Sequence, residues 1–243
     1  MKRVRFHSRW HLVPGHKQLM APTKSILITT PPLRPRSNKP LAMNTEELLN
    51  ILTYYHLQEF SSGRELLQAL REDEYARRLI APAGGIKHST FFDTVNERGV
   101  EQLFYVFTEL QKKAASILPG QHEGLGDLVI IDGSLIDSVL SMHWADYRTN
   151  SRKAKPHLGF NLNHGIPSKL FLTEGKEAER PFVSQLVEPG QTAVLDRGYQ
   201  AHHLFDQWQH DGRHFVCRIK ETTRQEVLAE YLLGTNSPVF FDA

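Results

Sequence analysis

The chain has 243 residues, 40% of them hydrophobic, with a mean hydropathy of −0.40 and a formal net charge of +2. That length suits one large domain or two small ones, and no apolar run approaches the roughly 18–20 residues of a membrane-spanning helix. The single cysteine, Cys217, excludes a disulfide framework and cysteine-rich zinc modules, and makes a reducing cytoplasm the default compartment.

The charge is uneven. Residues 1–42 hold nine of the 29 basic residues (Lys2, Arg3, Arg5, Arg9, Lys17, Lys24, Arg34, Arg36, Lys39) and no acid, which leaves 20 basic against 27 acidic in the remainder. Bulk charge therefore draws no nucleic acid to the main body, where local basic patches would have to act. With Pro31, Pro32, Pro35 and Pro40 and no sustained period, residues 1–42 read as a disordered basic arm. They lack the continuous apolar centre of a signal peptide. Two explanations stand side by side: an arm for DNA, or translation starting at Met43, just ahead of a good helix start.

From Asn44 to about residue 122 the pattern is helical. Asn44 with Glu47, and Ser62 with Glu65, match capping boxes. Leu48, Leu49, Ile51, Leu52 and Tyr55 form one apolar face, and Leu66, Leu67, Leu70 and Leu79 most of a second. Residues 82–85 (PAGG) break the run. Ser89 is placed to cap a short helix through Phe91, Phe92 and Val95, ended by Gly99. Val100, Leu103, Phe104, Phe107, Leu110 and Ala114 then share one stripe up to Pro119-Gly120. These stripes predict a helical core; a helix-turn-helix against DNA is open, but no side chain singles it out.

After Gly126 the pattern changes to strands. Leu128 to Ile131 is a continuous apolar run ending in Asp132. Leu158, Phe160 and Leu162 alternate, residues 163–165 turn, and residues 170–173 return as a hairpin. Pro181 fits the first turn of a helix carrying Phe182, Val183, Leu186 and Val187. Thr192 to Leu195 is a short buried strand ending in Asp196. Ala201, Leu204, Phe205 and Trp208 mark a helix ended by Gly212, and Phe215, Cys217 and Ile219 alternate as a last strand. Cys217, in phase with that apolar face, reads as a small core residue, and His202-His203 as surface. His143 and Trp144 fall in a link and acquire no role. The order β-β-β-α-β-α-β is that of a ribonuclease-H-like core. The expected fold class is thus α/β, a mixed sheet with flanking helices over residues 123–243, preceded by a small all-helical region over residues 43–122.

Asp132 and Asp196 stand at the carboxyl ends of buried strands, where α/β folds build their ligand sites. Alone, either could cap a turn through its side chain. Together, at one rim, they suit divalent-metal chemistry on phosphodiesters, in which carboxylates hold two ions about 3.5–4 Å apart. Mg²⁺ prefers hard oxygen ligands and keeps several waters, so few carboxylates are needed.

Residues 132–137 (DGSLID), 153–176 (KAKPHLGFNLNHGIPSKLFLTEGK), 194–199 (VLDRGY) and 214–220 (HFVCRIK) resemble DDE transposases of bacterial insertion sequences, of the insertion-sequence-four type. The similarity runs in order from about Met43 to Thr223 and includes residues 89–99 (STFFDTVNERG). It implies a ribonuclease-H-like catalytic core using two divalent ions, Mg²⁺ or Mn²⁺. It implies hydrolysis of a strand at each transposon end and joining of the freed 3′-hydroxyl to target DNA. Partners would be the terminal inverted repeats, target DNA and a second copy as a homodimer on DNA, in the bacterial cytoplasm at the nucleoid and away from membranes. By resemblance Asp132 is the first catalytic aspartate and Asp196 the second, both metal ligands, with Arg197 and Tyr199 flanking them. Read as residues, Arg197 suits a phosphate contact, and Tyr199 either base stacking or packing. Lys155 and His157 open the hairpin beside Asp132 and suit either a phosphate contact or a solvated strand end. Arg218 and Lys220 alternate away from the apolar face of the last strand, and suit backbone phosphates or plain exposure.

The resemblance also implies a third acid, a glutamate on a downstream helix within a tyrosine–arginine–glutamate–lysine signature. The sequence reaches Ala243 without one, and Glu221, Glu226 and Glu230 come too soon after the last strand to replace it. Val227, Leu228, Tyr231 and Leu232 start a helical pattern, Gly234 and Pro238 break it, and residues 239–241 begin an apolar strand. The expectation is a C-terminally truncated copy, inactive alone. The alternatives are a non-catalytic DNA-binding or regulatory fragment using the helical region and the arm, and an unrelated ribonuclease-H-like nuclease.

Overall fold

Four apolar strand residues fix the architecture around the candidate site. Val129 and Ile131 on one strand, and Ala193 and Leu195 on its neighbour, are buried against two helices. The computed structural model describes residues 13–35, 38, 40–120, 123–138, 146–148, 151–224 and 226–232. The chain divides into two units, residues 1–117 and 118–243.

The first unit is helical. Part of the stretch expected to be disordered folds as α1 (Val13–Met20) and α2 (Lys24–Thr29), joined by a 3₁₀ turn at Ala21–Thr23. Met20, Ile26 and Leu33 are buried. This segment is tied to the long helix α7 (Val100–Ile117) by hydrogen bonds from Gln102 Nε2 to the Pro32 carbonyl (3.3 Å) and from the Tyr105 hydroxyl to Thr29 Oγ1 (3.1 Å). Charge and proline content suggested disorder, but a few spaced apolar residues suffice to dock the segment. That docking also resets α7. Gln102 and Val106 are buried, whereas Val100 and Phe104 of the expected stripe are exposed.

Helix α3 (Thr45–Leu57) begins with the complete capping box: Glu47 N donates to Asn44 Oδ1 (2.9 Å) and Asn44 N to Glu47 Oε2 (2.8 Å). Helix α4 (Gly63–Glu72) forms half of one, because the Glu65 carboxylate takes the Ser61 amide (3.0 Å) instead of the Ser62 amide. The buried Asp73 then caps a separate helix, α5 (Glu74–Leu79), accepting from Ala76 N at 2.9 Å. Helix α6 (His88–Glu97) starts one residue before the expected cap Ser89 and has no side-chain cap. Leu48, Ile51, Tyr54, Leu66, Leu70, Tyr75 and Phe91 make up much of the core.

The second unit contains β1 (Leu128–Gly133), β2 (Ile136–Ser138), β3 (Asp146–Arg148), β4 (Ser151–Asn161), β5 (Ile166–Glu174), α8 (Arg180–Leu186), β6 (Thr192–Leu195), α9 (His202–His210) and β7 (His214–Cys217). Across the sheet the order is β5-β4-β1-β6-β7. Strand β4 is antiparallel to β1 and β5, while β6 is parallel to β1 and β7. This mixed sheet with flanking helices is consistent with the expected ribonuclease-H-like domain, and a helical region precedes it. Strands β2 and β3 were not anticipated; three residues are too few to show alternation, and both pair with the start of β4. His143 and Trp144 lie outside the described residues. No regular element occupies residues 226–232, where a helical pattern was expected, and Leu228 and Leu232 are exposed. Gly234, Pro238 and residues 239–241 lie outside the described residues. Among the described residues no helix is long and apolar enough to cross a membrane.

Helices α8 and α9 cover one face of the sheet with Val183, Leu186, Leu204, Phe205 and Trp208. Trp208 is fully buried, and its indole N–H donates to Ser184 Oγ at 2.8 Å, linking the two helices. Replacing it removes both packing volume and that bond. Trp208→Ala is expected to lower the unfolding free energy of this unit by about 3–5 kcal/mol, measured by urea denaturation followed by circular dichroism.

Candidate active site at the carboxyl ends of two parallel strands

Strands β1 and β6 run parallel with Val129 beside Ala193 and Ile130 beside Val194. Carried two residues beyond the last pair, that register leads to Asp132, near the end of β1, and to Asp196, just past the end of β6. Side chains alternate along a strand. Val129, Ile131, Ala193 and Leu195 face the helices, so both aspartates belong to the opposite set, and both are exposed. Asp196 retains an extended backbone, and a 3₁₀ turn, Arg197–Tyr199, follows at once, with Tyr199 N donating to the Asp196 carbonyl at 3.0 Å. The tight turn sends Arg197 to solvent and Tyr199 into the core.

The rim is built on a glycine. A β-carbon on Gly133 would lie 3.0 Å from Glu179 Cδ and 3.2 Å from the Tyr199 hydroxyl oxygen. The bare α-carbon thus lets a carboxylate and a phenol reach the strand end next to Asp132. Tyr199 Oη is buried and makes no hydrogen bond of sound geometry. Burial pushes its phenol well above the ordinary range; the adjacent Glu179 carboxylate adds to this, followed by Asp132 and Asp196. Of the two roles anticipated for Tyr199, its burial is that of a packing residue.

The remaining expected site residues separate into two groups. His157 is buried, with Nε2 2.8 Å from Thr173 Oγ1 and its ring stacked on Phe182 at 4.8 Å. Desolvation lowers its pKa; Glu179 opposes this and Lys155 reinforces it. Lys155 turns its ammonium inward, donating to the Glu177 carbonyl (2.7 Å) and pairing with Glu179 Oε1 (3.4 Å). Neither is the solvated strand end that the sequence left open. Arg197, Arg218 and Lys220 are exposed. Arg218 Nη1 lies 3.7 Å from Asp196 Oδ1, an exposed pair of the kind that contributes little to stability. His202 and His203 are at the surface, as expected, and Cys217 is half-buried against the core, where burial raises its thiol pKa.

Two residues near the site carried no signal in the sequence. Glu179 precedes a helix in a run of charged residues, and only its place opposite Gly133 distinguishes it. Gln200, one residue past the turn, is buried and bonds Thr223 Oγ1 (2.9 Å) and the Lys220 amide (2.9 Å), fastening the chain after β7 to the turn.

The exposed aspartate pair offers hard oxygen ligands, with the buried Tyr199 hydroxyl and the Glu179 carboxylate just beneath. This donor set fits a hard divalent cation completed by water. Among the described residues no three His, Cys, Asp or Glu side chains converge as a metal-binding group. Residues 123–237 match the family model of the transposase DDE domain. The matched segment starts just ahead of β1 and takes in both aspartates, the whole sheet and the turn at Arg197–Tyr199. It supports a DDE transposase, a family that generally uses divalent metal ions. No curated protein and no solved structure matches the chain.

Two measurements check this geometry. Gly133→Ala should displace the Glu179 carboxylate from its ion pair and cost about 1 kcal/mol, the low end for overpacking against a movable side chain, read as a lowered melting temperature. Because the folded pKa of His157 lies below its ordinary value of 6.5, the unfolded chain binds the extra proton first. Stability is then fully present above pH 6.5 and declines as pH falls below it. Urea midpoints at pH 7.5 and 5.5 should converge in His157→Gln relative to the unsubstituted protein.

Proposed function

We propose that this chain is a DNA transposase of the insertion-sequence-four type whose second unit uses Asp132 and Asp196 to hold Mg²⁺ or Mn²⁺ at a DNA phosphodiester. The observation that carries this is the register of β1 and β6, which sets two exposed carboxylates side by side within the segment that matches the transposase DDE domain. Bound divalent ions would supply charge neutralisation and an activated oxygen nucleophile for hydrolysis at the transposon end and for joining of the 3′-hydroxyl to target DNA.

The protein's own contribution is placement. Asp132 is fixed by the pairing of β1 with β4, where it lies opposite Leu158, and Asp196 by the strand end and the turn behind it. Arg197, exposed next to Asp196, reaches a DNA phosphate and holds the strand across the rim. Arg218 and Lys220 continue this basic track on the far side of β6, with Arg218 exchanging its loose contact with Asp196 for a phosphate. Lys155 and His157 act from within, as supports of the rim. The partners are terminal repeat and target DNA, with two copies assembling on the ends.

The test is a nicking assay on supercoiled DNA carrying the ends of the element, with Mg²⁺ or Mn²⁺. In a relative that also carries the third acid, nicking should disappear in the variants that correspond to Asp132→Ala and Asp196→Ala. Arg197→Ala should weaken DNA binding and flatten its salt dependence by about one phosphate contact. Nicking retained in either aspartate variant overturns the assignment; metal-independent DNA binding without any nicking identifies a DNA-binding fragment instead.

A further inference from the structure

Four elements meet behind the aspartate rim: the end of β1, the start of β4, the residue that opens α8, and the turn after β6. Lys155 on β4 holds Glu179 at 3.4 Å, and Arg180 Nε donates to the Gly198 carbonyl at 3.2 Å, which ties α8 to the turn. Glu179 and the Tyr199 hydroxyl both lie against Gly133, on the face away from Asp132. The buried Tyr199 hydroxyl and the Glu179 carboxylate lie together against the strand end, and a phenylalanine would fill the same volume without reaching that carboxylate.

We propose that Tyr199 and Glu179 are positioning residues that set the divalent-cation affinity of the Asp132–Asp196 pair. Glu179, fixed by Lys155, accepts the Tyr199 hydroxyl, and together they brace Gly133 from below so that Asp132 keeps its place beside Asp196. Neither touches the cation or DNA. Their effect passes through one α-carbon, and the absence of a side chain at Gly133 makes the contact close enough to matter. The turn completes the linkage, because Tyr199 and Asp196 belong to it at opposite ends and any shift of the ring moves both aspartates together. This inference rests on the reading that the two aspartates bind a divalent cation.

The experiment is Mn²⁺ titration by calorimetry on the full chain and its Asp132→Asn, Tyr199→Phe and Glu179→Gln variants, with a thermal melt of each. Asp132→Asn should abolish binding. Tyr199→Phe and Glu179→Gln should each weaken Mn²⁺ binding by roughly tenfold to a hundredfold, the range for residues that orient metal ligands. Tyr199→Phe keeps the ring and its packing, so it should remain folded in the thermal melt, and a change in Mn²⁺ affinity then reports the lost hydroxyl alone. Mn²⁺ affinity unchanged in Tyr199→Phe, with Asp132→Asn abolishing binding, overturns the positioning role and leaves the metal reading in place. Binding by Asp132→Asn equal to that of the unsubstituted protein, including none by either, overturns the metal reading and the inference with it. Should Glu179→Gln fail to fold, the single-atom change at Tyr199 decides the matter.

Discussion

The parallel pairing of β1 with β6 is the constraint on which the second unit depends. The apolar residues of each strand can be exchanged for other β-branched or apolar ones more readily than their relative register can shift. It sets Val129, Ile131, Ala193 and Leu195 into one core and leaves Asp132 and Asp196 as neighbours on the other face. Burial and chemistry thus come from the same alternation. The odd-numbered set packs the core, and the aspartates of the even-numbered set, at the strand ends, stay exposed. Helices α8 and α9 reinforce the arrangement from the face of the odd-numbered set, through the fully buried Trp208 and its bond to Ser184.

Much of this was legible in the sequence, because both signals that matter there are local. A four-residue apolar run closed by an aspartate is visible without any partner, and β6 has the expected limits, residues 192–195. The hairpin, the proline-led helix and the helix around Trp208 were equally plain, since period and punctuation agree at each. What was not legible depends on contacts distant in the chain. The N-terminal segment is rich in charge and proline, and nothing within it announces that α7, about 80 residues on, will accept Met20, Ile26 and Leu33 or turn Val100 and Phe104 outward. Lys155 and His157 alternate like strand-end residues, yet Glu179 and Phe182, from another element, draw them under the sheet.

The site shows the same division. The positions of Asp132 and Asp196 at strand ends could be read from the sequence alone, and Tyr199 from its motif, but the direction of its ring could not. A turn of three residues decides whether an aromatic faces DNA or the core, and here the 3₁₀ geometry sends the ring inward while leaving Arg197 outside. Glu179 illustrates the opposite case: no pattern surrounds it, and it becomes relevant only because a glycine leaves room for it.

The four-residue length of β6 has a consequence for how such a chain can change. The segments joining β1 to β6 can lengthen or shorten at their turns with little effect on either aspartate, since Asp132 is held by the pairing of β1 and Asp196 by the end of β6 and the turn that follows it. One residue gained or lost inside β6 would be different in kind. It would turn Asp196 toward Trp208 and present Leu195 or Arg197 in its place. Insertions at the turns are therefore tolerated, whereas one inside β6 is not, over a stretch of roughly 13 Å, four residues of extended chain.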